Sequence, residues 1–470
     1  MNAYIIGPRL RRAATVAVLA VAALGACDSV DRQLEVTDPD IINPEDVNSA
    51  AAARALRLGT MARLNQATSG GESFWLLGGL MADEWRSSDT FVQRDQTDQR
   101  AVETNNANVS DAFRAAHRAR LSAEIAARQL TQYEEPGWQI GEMYVVQAYI
   151  EVLLAEHMCS GIPFSTLDEN NVEIYGAPTP TADVLARAVA HADSALTAAA
   201  GTTADQVRIQ NAAKVIKGRA LLNLGQFAAA GTAVAGVPTG FAIENEHSQT
   251  SRQNQIWSLN NSAGRWTVST GEGGNGINFV VNDPRLPVCK GRSTTHAPTA
   301  AFTAAGVTAC TTAIAPSSGP FDTATPVAFL AQRVYPGRES PAAWVTGIEA
   351  RLIEAEAALQ AGAPGTMITT LNTLRTTVTG LAPLTDPGTA AGRVDLLFRE
   401  RAFWLFSTGH RLGDLRRLMR QYGRTEAQVF PTGAWFAGAS YGSDKNFPIP
   451  QTEENNPEAG TGGICINRDA

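Results

Sequence analysis

Residues 394–417, VDLLFRERAFWLFSTGHRLGDLRR, constrain the fold more than any other stretch of the chain. Leu396, Leu397, Phe398, Phe403, Trp404, Leu405 and Phe406 place apolar groups around nearly the whole circumference of a helix. Such a helix has to be enclosed by a larger helical body. Arg399, Glu400 and Arg401 interrupt it, and Arg411, Asp414, Arg416 and Arg417 follow a glycine-containing turn. Charges in those surroundings persist only when paired and hydrogen-bonded. The segment therefore predicts a helical hairpin pinned by ion pairs, with Glu400 and Asp414 facing Arg401, Arg411 or Arg416. These charges read as structural.

Helical periodicity recurs elsewhere. It predicts helices over 46–66, 110–131, 141–158 and 182–199, another opening at Gln210, and a further group resuming near 341. In LLNLGQFAAA, a Gly ends a helix, an aromatic follows two residues on and Ala three further on, which is the turn of a tetratricopeptide-like hairpin; residues 349–374 repeat the arrangement around Ala361-Gly362. Several such hairpins in one chain point to a stacked helical array. Two regions depart from it. Residues 87–109 lose all periodicity and read as a long polar loop, of the kind that is often functional. Residues 236–340 are crowded with Gly, Asn, Thr and Pro and read as irregular, with short strands at 265–269 and 277–281. The fold class is mainly α, with helical hairpins and a loop-rich, partly β insertion. The expected organisation is 1–26 leader, 27–44 tether, 45–235 N-terminal helical part, 236–340 insertion, and 341–470 C-terminal helical part and tail.

The leader has a basic start (Arg9, Arg11, Arg12) and an apolar run, Ala13 to Leu24, too short to span a bilayer. Leu24-Gly25-Ala26-Cys27 then resembles a bacterial lipobox, which predicts cleavage before Cys27 and lipidation there; several acyl chains make a stable anchor. The chain carries a net charge of −8, and removing the leader leaves 35 Lys and Arg against 46 acids, or −11. That surface disfavours nucleic acid and anionic headgroups as partners. Besides Cys27 there are four cysteines, which suit disulfides in an exported protein. Cys289 and Cys310 flank a Thr/Ala-rich loop and are paired here, which leaves Cys159 with Cys465. The scattered His residues and absence of a CxxC pair disfavour zinc, and no cofactor is implied.

Taken together, the lipobox, the Gly-x-Pro end of the 141–158 helix, AAKVIKGRALLNLGQFAAA, EARLIEAEAAL with LNTLR, the 394–417 segment and the closing FPIPQTEENNP resemble the SusD/RagB family of nutrient-uptake lipoproteins. The resemblance implies a tetratricopeptide-like body on the outer membrane, anchored by lipid and facing outward. It also implies a SusC-like TonB-dependent β-barrel partner, an oligosaccharide or peptide ligand, and no catalysis. Asp28, directly after the lipid Cys, favours inner-membrane retention in some bacteria, so the outer membrane follows from the resemblance alone. The irregular loops, which would choose the ligand, carry no family pattern.

A glycan offers apolar CH faces and many hydroxyls, so its site needs an exposed aromatic beside Asn, Asp, Arg or Gln. Two stretches qualify: Trp85-Arg86 with the polar run to Arg94, and Trp257 to Trp266 with Asn260 and Arg265 between. Trp75, Trp344 and Trp404 read as core. A glycan hydrolase would need two facing carboxylates, whereas Asp83 and Glu84 are adjacent and point apart on a helix. No nucleophile elbow, HExxH or phosphate loop occurs. A protein-interaction scaffold is the third alternative.

Overall fold

A computed structural model of the chain describes residues 49–168, 172–290, 308–310, 329–436, 438–459 and 465–468. The expected leader, the lipidated Cys27 and the 27–44 tether lie outside these residues. Helices α1 (Ala50–Gln66), α2 (Phe74–Met81), α3 (Val92–Asp98), α4 (Ala107–Gln132), α5 (Gly137–His157), α6 (Thr181–Ala198), α7 (Ala204–Asn223) and α8 (Phe227–Ala233) come first; after a loop-rich stretch, α9 (Gly347–Gln360), α10 (Pro364–Arg375), α11 (Ala390–Trp404) and α12 (Arg411–Tyr422) follow. Their ends are written into the sequence. Asn106 caps α4 by accepting from the Val109 amide at 3.2 Å, Thr203 and Gln206 form a reciprocal capping box on α7, and Pro364 opens α10.

The pairs α4–α5, α6–α7, α7–α8 and α9–α10 are joined by short turns and pack as antiparallel neighbours, so the hairpin architecture is as expected. The Gly225 and Gly362 turns both have positive φ (72° and 73°), which explains the glycine each hairpin signature carries. Helix α5 is the centre of the stack. From Met143 to His157 only Tyr144 escapes full burial, and Tyr149 on α5 accepts from Trp75 Nε1 at 2.7 Å while its ring meets Trp344 edge-on at 5.1 Å. Trp75 and Trp344 are core residues; Trp404 is only half-buried, because it sits where α11 ends.

The strands of three or more residues are β1 (Trp85–Ser87), β2 (Ala242–Asn245), β3 (Trp266–Val268), β4 (Val288–Lys290), β5 (Leu330–Gln332) and β6 (Ala342–Thr346), beside several two-residue pairs. They pair antiparallel as β1–β3, β4–β5 and β2–β6. The strand expected at 265–269 is β3. At 277–281 there is only an isolated bridge, Thr270 to Asn278. Disulfides join Cys289 to Cys310 and Cys159 to Cys465, with Cα separations of 5.0 and 5.8 Å. Residues Asn48–Ala470 form one compact unit. No helix among the described residues is long and apolar enough to cross a membrane.

The 394–417 hairpin is ion-paired, Asp414 with the expected Arg401 and Glu400 with partners outside the expected set. Arg401 holds Asp414 with two hydrogen bonds (2.7 and 2.9 Å), and Arg417 bridges Asp414 (2.8 Å) to Glu356 on α9. Glu400 turns away from Arg401, Arg411 and Arg416; it accepts from Arg285 at 2.8 Å and Arg375 at 2.7 Å, both supplied by distant segments. Arg411 pairs with Asp83 at 2.5 and 2.7 Å, and Arg416 donates to the Ala155 carbonyl at 3.0 Å. Arg399 is exposed. Gly409, in the turn, has φ 74°, and a Cβ there would meet the Trp75 ring at 2.5 Å, so the turn admits glycine alone.

Candidate functional site

Strand pairing brings the two sequence-predicted stretches together. In the β1–β3 register Trp85 lies opposite Val268, Arg86 opposite Thr267 and Ser87 opposite Trp266. The register also decides which way the side chains face, because alternate residues of a strand point to opposite sides. Trp85 and Trp266 both face the core and are 0% exposed. Their rings meet edge-on at 6.3 Å, Trp85 packs on Phe406 at 5.1 Å, and Trp85 Nε1 donates to Ser407 Oγ at 3.2 Å. Neither indole is a ligand platform; this corrects the expectation.

Asn260 is a second correction. It is buried in a π-turn, Ser258–Ser262, where it donates to the Trp266 and Leu330 carbonyls (2.6 and 3.1 Å) and accepts from the Gln332 amide (2.9 Å). That saturates a backbone clip and leaves nothing for a ligand. Arg86 turns onto the buried Glu272, with its guanidinium 5.4 Å from the Phe436 ring centre. Glu272 and Asp98, both under this loop, are held above the usual carboxylate range, first by burial, and for Asp98 next by the neighbouring Glu272 charge. Trp257 is half-buried with Arg338 5.3 Å from its ring centre.

Beside this ribbon an exposed aromatic does occur, Phe91, which is not among the expected site residues; a second, Tyr175, lies elsewhere in the chain. Residues 87–109 are not a continuous loop: Phe91 is the N-cap of α3, and α4 begins at Ala107. Helix α3 escaped detection because its buried face is polar. Arg94, Thr97 and Asp98 point inward, and Asp98 accepts from the Ser87 amide and Trp435 Nε1, both at 3.1 Å. Apolar periodicity cannot report such a helix. The signal that could have found the site is the apolar pair Phe91-Val92 stranded in a polar run; both are exposed, Phe91 by 49%.

Around Phe91 the polar groups are held rigidly. Arg94 grips Glu72 bidentately (2.7 and 2.6 Å) and also reaches Asp89. Burial works against its charge, but Glu72 and Asp89 outweigh it and the guanidinium is more basic than usual. Asn108 on α4 adds a bond to Glu72 at 2.8 Å, and the Thr90 amide one to Asp89 at 2.8 Å. From the β3 side, the Ser88 amide donates to the Arg265 carbonyl at 2.9 Å, and Arg265 extends over Phe91 with its guanidinium carbon 4.8 Å from the ring centre and its Nη1 3.5 Å from Asp89. Of the residues expected to bind, Arg94 and Arg265 therefore reach this ridge. Arg94 is a buried positioning residue, and Arg265, 35% exposed at its side chain, remains reachable. Among the described residues no group of three or more His, Cys, Asp or Glu could hold a metal.

The ridge combines a half-exposed aromatic ring, a partly exposed guanidinium and fixed carboxylate acceptors. That is chemistry for stacking on an apolar face while hydrogen-bonding its hydroxyls. Asp89 and Glu72 are both committed to Arg94, and Asp95, beside Asp89, accepts from Ser87 Oγ at 2.8 Å.

The fold places the chain in a structural class. Solved structures sharing it include a SusD superfamily protein from Bacteroides thetaiotaomicron (TM-score 0.61, 14% identity, covering 87% of this chain and 98% of that one). Another is a SusD superfamily protein from Bacteroides vulgatus (TM-score 0.58, 15% identity, 88% and 98%). A third is a SusD-like carbohydrate binding protein, also from Bacteroides vulgatus (TM-score 0.56, 13% identity, 78% and 83%). The chain thus has the SusD-superfamily fold along most of its length. No family model and no curated protein matches the sequence.

Proposed function

We propose that the protein is a saccharide-binding lipoprotein which captures its ligand at the Phe91 ridge, leaves it chemically unchanged and passes it to a TonB-dependent β-barrel transporter in the outer membrane. The observation that carries the binding role is the exposed Phe91 ring flanked by Arg265 and Asp89, on a fold shared with a protein described as carbohydrate binding. Capture without turnover is supported by the ridge's acids: with Asp89 and Glu72 tied to Arg94, only Asp95 is outside that clamp, and one carboxylate cannot both protonate a leaving group and activate water across a glycosidic bond. The anchor rests on the leader and Cys27, and the transporter on the resemblance read from the sequence.

Calorimetric titration of the whole protein with a panel of neutral oligosaccharides and short peptides tests this reading. Binding of at least one oligosaccharide, weakened in Phe91→Ala, with the sugar recovered intact, is the expected result. Binding of peptides alone, or release of shorter sugars, overturns it.

A further inference from the structure

A second hollow, of about 450 Å3, opens between α11, α12, residues 424–429 and the Asn275–Ile277 turn. Its wall holds three guanidinium groups, Arg399, Arg411 and Arg424, against one carboxylate, Asp395. Two of the three are already ion-paired, Arg424 with Asp395 and Arg411 with Asp83, so the uncommitted cation of the wall is Arg399. The three arginines differ in what they have left to offer. Arg424 is closed, donating to Asp395 at 2.6 Å and to the Ala391 carbonyl at 3.1 Å. Arg411 is 5% exposed and uses Nε and Nη2 on Asp83, while its Nη1 is buried without a hydrogen-bond partner. Arg399 is exposed, lies 5.0 Å from the Phe403 ring centre, and has no ion-pair partner among the described residues.

An unpartnered buried N–H is costly, and a carboxylate is the acceptor that a guanidinium fork fits best. The same wall is apolar beside the charges, where Phe398, Leu415 and Val429 line it. A bare inorganic anion would leave that surface unused. We propose that this hollow binds the carboxylate of an acidic saccharide, a uronate unit, between Arg399 and Arg411, with the sugar ring against Phe398 and Leu415. The proposal concerns a site separate in composition from the Phe91 ridge and does not depend on what the ridge binds. It makes the protein selective for charge at one place and for ring stacking at another.

Titration of the whole protein with glucuronate, glucose and inorganic phosphate tests it. Glucuronate is expected to bind at least about tenfold more tightly than glucose, the value of one charge-assisted hydrogen bond, with affinity falling as salt is raised. Arg399→Glu should abolish glucuronate binding without moving the thermal midpoint, since Arg399 is exposed. Arg411 is avoided because its loss would strand Asp83 and threaten folding. Glucuronate binding no tighter than glucose, binding unchanged in Arg399→Glu, or binding lost in Phe91→Ala instead, would each overturn the assignment. Phosphate binding more tightly than glucuronate would remove the saccharide from it.

Discussion

Arginine–carboxylate pairs build two regions that share their bonding and differ in what they leave exposed. In the α11–α12 seam, Arg401, Asp414, Arg417 and Glu356 close on one another away from water. At the ridge, Arg94 grips Glu72 and Asp89 with similar geometry, yet a half-exposed phenyl ring and a reachable guanidinium stand beside it. Ion pairing is architecture in both places. What distinguishes a binding surface is the group that the pairs position and leave uncovered.

The comparison breaks first if the seam proves dispensable. Asp414→Ala leaves Arg401 and Arg417 with Glu356 alone to neutralise them, and should cost about 3–5 kcal/mol in a urea titration, the usual penalty for removing one partner of a buried pair. A loss below about 1 kcal/mol would place the seam with ordinary surface pairs. Asp414 is held below the usual carboxylate range, burial being overcome by Arg401 and Arg417, so its contribution is present above the unfolded pKa and disappears as pH falls through the folded one.

Glu84 sharpens the contrast because it shifts the other way. It is buried beside the seam, accepts from the Ser407 amide at 3.0 Å, and has one oxygen without a partner. Burial raises its pKa from 4.5 to about 8 against the pull of Ser407 and Arg411. Between those values the folded state carries a proton that the unfolded chain has lost, so stability falls by about 1.4 kcal/mol per pH unit. From pH 5 to pH 7 the wild type should lose on the order of 3 kcal/mol through this group, and Glu84→Gln should flatten that slope. Parallel slopes for the two proteins would mean that Glu84 ionises in place.

The ridge should respond in the opposite currency, affinity rather than stability. Phe91→Ala is expected to weaken oligosaccharide binding about tenfold, the loss of one stacking contact, while the unfolding midpoint shifts by no more than an exposed substitution allows, about 0.5 kcal/mol. The smallest effect belongs to Arg265→Ala. Removing one flexible, partly exposed donor should weaken binding by about threefold, with stability unchanged. If Arg265→Ala unfolds the protein, the ridge is architecture after all.

The hairpin body was legible because its signals are local. Gly225 and Gly362 sit where a helix must reverse, and the apolar run at 394–406 demands enclosure wherever it lies. The partners of Glu400 were not legible, since Arg285 and Arg375 arrive from 115 and 25 positions away. The tryptophans misled for a related reason. Whether Trp85 and Trp266 face water depends on a strand register set by pairing with a remote segment, and composition does not encode it. Helix α3 shows the remaining blind spot: a helix held through Arg94 and Asp98 has no apolar stripe to read.

The β1–β3 ribbon carries one more implication. Ser88 is fastened to Gly264, 176 positions further along the chain, and Arg265 reaches Phe91 only through that fastening. During synthesis, then, the first half emerges with its aromatic ring in place but without the cation that frames it. On the proposed function, a molecule terminated before Arg265 would carry the ridge's ring without its framing cation.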